Sequence, residues 1–298
     1  MESAIIAMAK ALRNDMTQGP WIRTIAALSA RHSYSLARTF TLLRLNMFPI
    51  CAAHPAEVFS AETTALLSEI AGAKVISIDL PPAASSLEDM VEAIDAQRRL
   101  RGIPRWLFWG MSGGSFLAQV YARRHPDALA GLILASSGPY FRPTVEDVEC
   151  ILCPRHPAWC EQLAAAGLLN GPYDRGPTEW QVLEGVGWIF RRSNGAALLV
   201  SPDAPSESLQ RSMPALWAFD ARPWLDKIQT PALVMCGTSD PVVPLAHARA
   251  LASLLPHAHF CAIGGAGHIP LIEHRNEVEQ AVRHFLTKVA PLRDRRCC

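Results

Sequence analysis

Short apolar runs, rich in β-branched and aromatic residues, alternate with helical patterns along most of this chain. The runs at 47–53 (MFPICAA), 73–80 (AKVISIDL), 105–110 (RWLFWG), 130–137 (AGLILASS), 231–237 (PALVMCG) and 258–265 (AHFCAIGG) read as strands. Helical patterns occupy 56–72, 86–102, 114–126, 244–256 and 275–290. The second of these carries its own punctuation: Ser86 as cap, Asp89 three residues on, and Gly102 at the close. Strands that alternate with helices predict an α/β fold, a mostly parallel sheet with helices on both faces.

Two segments break the rhythm. Between Ser137 and Thr230 lie about ninety residues where an ordinary crossover needs about a dozen. The stretch is rich in Pro, Gly and Trp, and its patterns are short and helical. It predicts a lid or cap over 141–217, inserted into a core made of 1–140 and 218–298. Residues 1–45 are the other exception. WIRTIAAL and ARTFTLLRL fit an antiparallel edge hairpin, SAIIAMAKAL fits a helix, and periodicity does not choose between them.

Composition narrows the class. The chain has 298 residues, half of them hydrophobic, and a formal net charge of +1. Its basic residues are scattered, which argues against a nucleic-acid groove or a polybasic membrane patch. No apolar run reaches the roughly 20 residues of a membrane span, and the N-terminus does not read as a secretory signal. Of the eight cysteines, Cys51, Cys236 and Cys261 sit in strand-like runs and read as buried thiols. Cys150, Cys153 and Cys160, with His156, crowd one loop (CILCPRHPAWC) stiffened by Pro154 and Pro157. Structural zinc sites draw ligand pairs from separated segments, so the expectation is a thiol cluster without metal. A reduced, cytoplasmic protein fits this cysteine usage.

The chemistry concentrates at 108–126, FWGMSGGSFLAQVYARRHP. Glycine is costly inside a strand or a helix, yet Gly110, Gly113 and Gly114 surround Ser112 where a strand gives way to a helix. Such a turn thrusts Ser112 up at the carboxyl edge of the sheet, and its neighbours two before and two after must be small. This is the G-x-S-x-G pattern. The phosphate-binding patterns G-x-x-x-x-G-K-[ST] and G-x-G-x-x-G are absent. A serine hydroxyl needs a base, and the base needs an orienting group. VMCGTSDPVVP puts Asp240 just after a strand, and IGGAGHIPLIEH puts His268 in a glycine-rich loop after the next. Asp240 alone also reads as an ordinary turn carboxylate and His268 as a loop histidine. It is their joint position at successive strand ends, behind a serine turn, that marks them. His274 opens the last helix and reads as a surface cap.

These segments resemble an α/β-hydrolase of the lidded kind that includes esterases, proline-iminopeptidase-like enzymes and carbon–carbon-bond hydrolases. GIPRWLFWGMSGGSFLAQVYARRHPDALAGLILASS, FDARPWLDKIQTPALVMCGTSDPVVP and GGAGHIPLIEH carry the resemblance, over about 47–140 and 218–290. It implies the α/β-hydrolase fold with an inserted helical lid, and it implies Ser112 as nucleophile, Asp240 as acid and His268 as base. It also implies the Gly113 N–H as an oxyanion donor, a small-molecule substrate, and no metal or organic cofactor. Serine at the elbow, where dehalogenases and epoxide hydrolases of this fold carry aspartate, argues against those two activities. The family's His-Gly after an early strand is here His54-Pro55. Proline has no N–H to give, so the second oxyanion donor is expected to be Ala56. His54, Met111, Trp180, Trp188 and Trp217 are the candidate substrate contacts. An ester of a small to medium apolar substrate is expected. Cleavage of amino-acid amides (with Glu179 or Glu184 holding the ammonium group), carbon–carbon hydrolysis, and non-catalytic binding of a small molecule are the alternatives.

Overall fold

Among the described residues, six strands form one parallel sheet: β1 (Ile50–Ala52), β2 (Val75–Ser77), β3 (Trp106–Met111), β4 (Leu129–Ala135), β5 (Ala232–Gly237) and β6 (Ala258–Ile263), in the spatial order β2-β1-β3-β4-β5-β6. The helices are α1 (Ala61–Ala71), α2 (Leu87–Leu100), α3 (Gly113–Arg124), α4 (Leu245–Leu254), the single turn α5 (Pro270–Glu273), and α6 (Arg275–Val289). This computed structural model describes residues 48–55, 61–82, 84–142, 147, 150, 212, 214–240 and 242–289. The hairpin-or-helix question at 1–45, Ala56, and most of the expected lid, including Trp180, Trp188, Cys153 and Cys160, lie outside the described residues.

All six predicted strands are present, and the sequence says why the central ones are central. Every residue of β4 and β5 is buried, as is all of β3 except its last residue, Met111. Strands covered on both faces read as continuous apolar runs rather than alternating ones. β6 lies at an edge, and it alternates more and is half-exposed. The predicted strands at 47–53, 73–80 and 258–265 are trimmed in the structure. β1 pairs with β2 and β3 only over Ile50–Ala52. β6 ends where Gly264 and Gly265 turn the chain, Gly265 at φ +74°.

On one face, Leu87, Met90, Val91 and Ile94 of α2 and Phe116, Leu117, Val120 and Tyr121 of α3 pack with Trp106, Phe108, Leu132 and Val234 in a single core. Ala248 and Leu251 of α4 belong to the same cluster. α2 is locked to α3 by a buried carboxylate. Asp95 accepts hydrogen bonds from Tyr121 Oη at 2.7 Å and from Arg98 Nε at 2.7 Å. Burial works to raise the Asp95 pKa, but the bonds from Arg98 and Tyr121 outweigh it and hold the carboxyl below its ordinary value. On the opposite face α6 packs against α1, β4 and β6. There the space over Gly131 is filled by Leu107 and the Phe285 ring.

The strand order locates the site. From β1 the chain moves outward to β2, returns across β1 to β3, and then runs in sequence to β6. The connections after β1 and β3 therefore leave in opposite directions and open a crevice at their carboxyl ends, the usual ligand position in open α/β sheets. Those ends are His54-Pro55 and Ser112.

β5 closes on Gly237 for a steric reason. A Cβ there would lie 2.2 Å from the carbonyl oxygens of both Ala266 and Gly267, the residues that lead into His268. Gly237→Ala is therefore expected to destabilise the protein by about 2–3 kcal/mol through overpacking against backbone that cannot rotate away. A lower urea midpoint with an unchanged m-value would register this; an unchanged midpoint would show that the two loops are not in contact.

Candidate active site

Ser112 stands between β3 and α3 at φ 51°, ψ −121°, a left-handed conformation that costs a non-glycine residue roughly 1–3 kcal/mol. What holds it is crowding. A Cβ on Gly110 would lie 2.4 Å from Gly114 O, and one on Gly114 would lie 2.5 Å from Ala53 O at the end of β1. The glycines two before and two after Ser112 are thus required by backbone contact, as the pattern predicts. Ser115 is a contributor that the pattern missed. Fully buried, its hydroxyl donates to Gly110 O at 2.8 Å and lies 3.1 Å from Ala135 O, while Ser112 N donates to Ala135 O at 2.9 Å. The elbow is thereby stitched to β4. A serine three residues after the elbow serine, on the inward side of the new helix, is the signal that could have found it.

Ser112 Oγ lies 3.0 Å from His268 Nε2. His268 Nδ1 lies 2.9 Å from Asp240 Oδ2 and 3.1 Å from Oδ1. Both partners are buried, at 7% and 6% exposure, so the contacts are made with little competition from water. Asp240 is fixed by its own turn: Oδ1 also accepts Val242 N at 2.8 Å and Val243 N at 2.9 Å. With Asp240 ionised, the donor on the facing ring nitrogen is Nδ1–H, leaving Nε2 to accept from the Ser112 hydroxyl. The loops carrying Asp240 and His268 are tied together. Ser239 N donates to Ala266 O at 2.9 Å, and Gly265 N donates to Thr238 Oγ1 at 2.8 Å.

Of the other expected site residues, His54 lies beside the elbow, its Nε2 2.8 Å from where a Gly113 Cβ would stand. Burial lowers its pKa from the usual 6.5 to about 4, with the neighbouring His268 adding to the effect. It is a neutral imidazole at pH 7. Gly113 is the first residue of α3, where helix N–H groups are not used within the helix. Met111 ends β3, directly before the serine. Trp217 is half-buried and packs edge-on to Phe141 with ring centroids 5.8 Å apart, under the Arg142 guanidinium. It packs at the aromatic edge of the core. His274 lies just before α6, as expected, and its Nδ1 is 3.6 Å from Glu277.

The cysteines divide. Cys51 and Cys236 are buried as expected, whereas Cys261, on the edge strand, is only partly so. Cys150 is also buried, its thiol donating to Val242 O at 3.2 Å. Cys236 packs beneath Asp240, with Sγ 3.9 Å from Oδ2. Burial first, and then the adjacent carboxylate, push this thiol's pKa well up, so no second anion forms there. His247 holds a partner that sequence alone did not reveal. Its Nε2 lies 2.7 Å from Asp147 and 3.2 Å from Tyr140 Oη.

Comparison with known proteins agrees with this architecture. The α/β-hydrolase-fold family matches residues 200–275, a span that includes Asp240 and His268. A hydrolase of that fold from Bacillus anthracis superposes with a TM-score of 0.62 at 18% identity, covering 80% of this chain and 91% of that one. This chain has the α/β-hydrolase fold. It is 29% identical over 180 residues to a pimeloyl-[acyl-carrier protein] methyl ester esterase of Chromobacterium violaceum, covering 59% of this chain and 68% of that enzyme. It is also 29% identical over 223 residues to polyketide synthase ThaQ of Burkholderia thailandensis, covering 71% of this chain but only 10% of the synthase.

The depressed His54 pKa sets a pH dependence of stability. The unfolded chain takes up a proton near pH 6.5 and the folded one only near 4, so stability is fully present above about 6.5 and is lost as pH falls towards 4. Between pH 7 and pH 4.5 the protein is expected to lose about 2 kcal/mol through His54. His54→Gln, which cannot titrate, should lose correspondingly less. Equal losses for both proteins in urea titrations at the two pH values would rule this coupling out.

Proposed function

We propose that this α/β-hydrolase is a serine esterase, in which Ser112 is the nucleophile, His268 the general base and acid, and Asp240 the group that orients and stabilises the histidine. The observation that carries the reading is the unbroken line of contacts from Ser112 Oγ through His268 to Asp240, at 3.0 Å and 2.9 Å. The 29% identity to a methyl ester esterase supports the ester as the bond attacked.

In the first half-reaction Ser112 Oγ bonds to the ester carbonyl carbon as its proton passes to His268 Nε2. The carbonyl oxygen takes the electron pair and faces the Gly113 N–H at the positive end of α3. A second donor, Ala56 N–H, would complete the oxyanion site. The tetrahedral adduct then collapses: the bond to the alcohol oxygen breaks, His268 returns its proton to that oxygen, and the alcohol leaves. In the second half-reaction water gives a proton to Nε2 and attacks the acyl-serine. Collapse of this adduct releases the acid, and the proton returns to Ser112. Asp240 stays ionised throughout and stabilises the imidazolium formed at each addition. The chain's own residues supply every group these steps use, so no cofactor is invoked.

The proposed substrate is a neutral ester with a small to medium apolar acyl group. Apolar pockets with a few placed polar groups favour such ligands, and the neutral His54 adds a polar surface without a charge beside the elbow. The relative named above acts on a methyl ester, which favours a small alcohol side here as well.

A fluorophosphonate probe should label the protein once per chain, and Ser112→Ala should abolish both labelling and turnover of short p-nitrophenyl esters. His268→Ala should be about as damaging, because the three groups act as a unit. Asp240→Asn should keep the fold and lose roughly three to four decades of kcat by favouring the wrong tautomer. Turnover that survives Ser112→Ala would overturn the assignment. Faster cleavage of amino-acid arylamides than of every neutral ester tested would move the reading to an aminopeptidase.

A further inference from the structure

One carboxylate near the triad has a placement that the mechanism above does not use. Glu273 ends the single turn α5, five residues beyond His268. Its Oε2 accepts the Gly267 N–H at 2.7 Å, and its Oε1 accepts the Ile269 N–H at 3.0 Å. The two donors are the backbone N–H groups of the residues immediately before and after His268. The space for the clamp is built in: a Cβ on Gly267 would stand 3.0 Å from Glu273 Oε2 and 3.2 Å from Oε1. The turn that brings Glu273 back is itself defined, by Pro270 at its first position and by Glu273 N donating to Ile269 O at 3.1 Å.

The simplest account of such a glutamate is a helix cap. A cap explains the bond to Ile269, the residue at the start of α5, in the manner of a side chain reaching back to an N-terminal N–H. It does not explain the bond to Gly267, which lies before His268 and outside the turn. Ionised carboxylates bonded to backbone N–H groups form the stronger class of hydrogen bond. Holding one peptide on each side fixes the backbone from which the imidazole must reach Asp240 and Ser112 at once.

We propose that Glu273 is a positioning residue for His268: its carboxylate clamps the N–H groups of the two flanking residues and so fixes the reach of the imidazole between Asp240 and Ser112. The proposal rests on the triad reading above. It requires two acceptor oxygens. In Glu273→Gln, a substitution of the same size, the side-chain NH2 must face one of the two backbone N–H groups, donor against donor. Glu273→Ala removes both acceptors.

The test uses the full chain, a p-nitrophenyl ester of short acyl length, a fluorophosphonate probe, and proton NMR of the low-field Nδ1–H resonance, assigned by its loss in His268→Ala. Per titrated active site, Glu273→Ala is expected to lower kcat about ten-fold and Glu273→Gln several-fold, since small displacements of a catalytic group are costly. KM should stay within about two-fold, labelling should slow in parallel, and the low-field resonance should shift or broaden. If Glu273→Ala fails to fold, Glu273→Gln alone decides. Wild-type kcat per active site with an unmoved resonance would overturn the proposal. So would a loss fully explained by a smaller folded fraction, since that is what a plain helix cap predicts. Turnover surviving Ser112→Ala is a separate result: it would bring down the triad reading and this proposal with it.

Discussion

Three backbone segments meet at Ser112 with no room for a side chain between them. The end of β1 presses Ala53 O towards Gly114, and the end of β3 presses Gly110 onto the first turn of α3. The strained φ of 51° persists because the surroundings over-determine it. The register of β3 with β4, the bond from Ser112 N to Ala135 O and the two contacts of the Ser115 hydroxyl all act on the same few atoms. The serine's position is thus a property of the sheet. The other members of the triad can then be carried on separate loops, provided those loops are held to one another.

That second condition is met by different means. Asp240 is anchored by two N–H groups of its own turn, so its carboxylate direction does not depend on His268. His268 comes from a glycine-rich loop with little intrinsic preference, and that loop is held from outside: by Thr238, by Ser239, by the absence of a side chain at Gly237, and by Glu273. The electrostatics follow the same division. Around one buried carboxylate, the nearby groups that could add charge are kept neutral by burial above all, His54 by a lowered pKa and Cys236 by a raised one.

Features made within one short stretch of chain were legible in the sequence; features made between stretches were not. The runs at 105–110, 130–137 and 231–237 read as buried strands because they are apolar on both faces, and they are. Ser86 reads as a cap, and its hydroxyl accepts Asp89 N at 3.0 Å. The elbow was legible for the same reason: its glycines and serine fall within five consecutive positions of a pattern with a steric cause. The contacts among Ser112, His268 and Asp240 were half legible. Asp240 and His268 could be placed at strand ends, but their approach depends on β5 and β6 being neighbours, which no local pattern states. The contacts of Ser115 with Ala135, of Asp147 with His247, and of Gly237 with Ala266 join positions about 20 to 100 residues apart. Each looks ordinary until the sheet brings its partner near. Glu273 is the exception, lying close in sequence to His268. There the missing information was the single turn opened by Pro270, too short to show a period.

β4 supplies none of Ser112, Asp240 and His268, yet it sets the distances between them. Ser112 N bonds to the carbonyl of Ala135, the last residue of β4, and Ser136 N bonds to the carbonyl of Met235 in β5. The end of β4 is therefore tied on one side to the strand that leads to Ser112 and on the other to the strand that leads to Asp240. Two strand spacings of about 4.8 Å separate β3 from β5, too far for a serine and an aspartate to touch, and a histidine side chain reaching in from β6 can bridge the gap. Immediately afterwards Ser136 takes φ 51°, the second positive φ at a non-glycine position among the described residues. It turns the chain away just past the last register pair, Ala135 with Met235, so that β4 ends level with the elbow. One more extended residue there would stand in the gap that the imidazole crosses. On this geometry the strand between Ser112 and Asp240 acts as a spacer. Its length is as much a requirement of the site as the identity of the three residues around it.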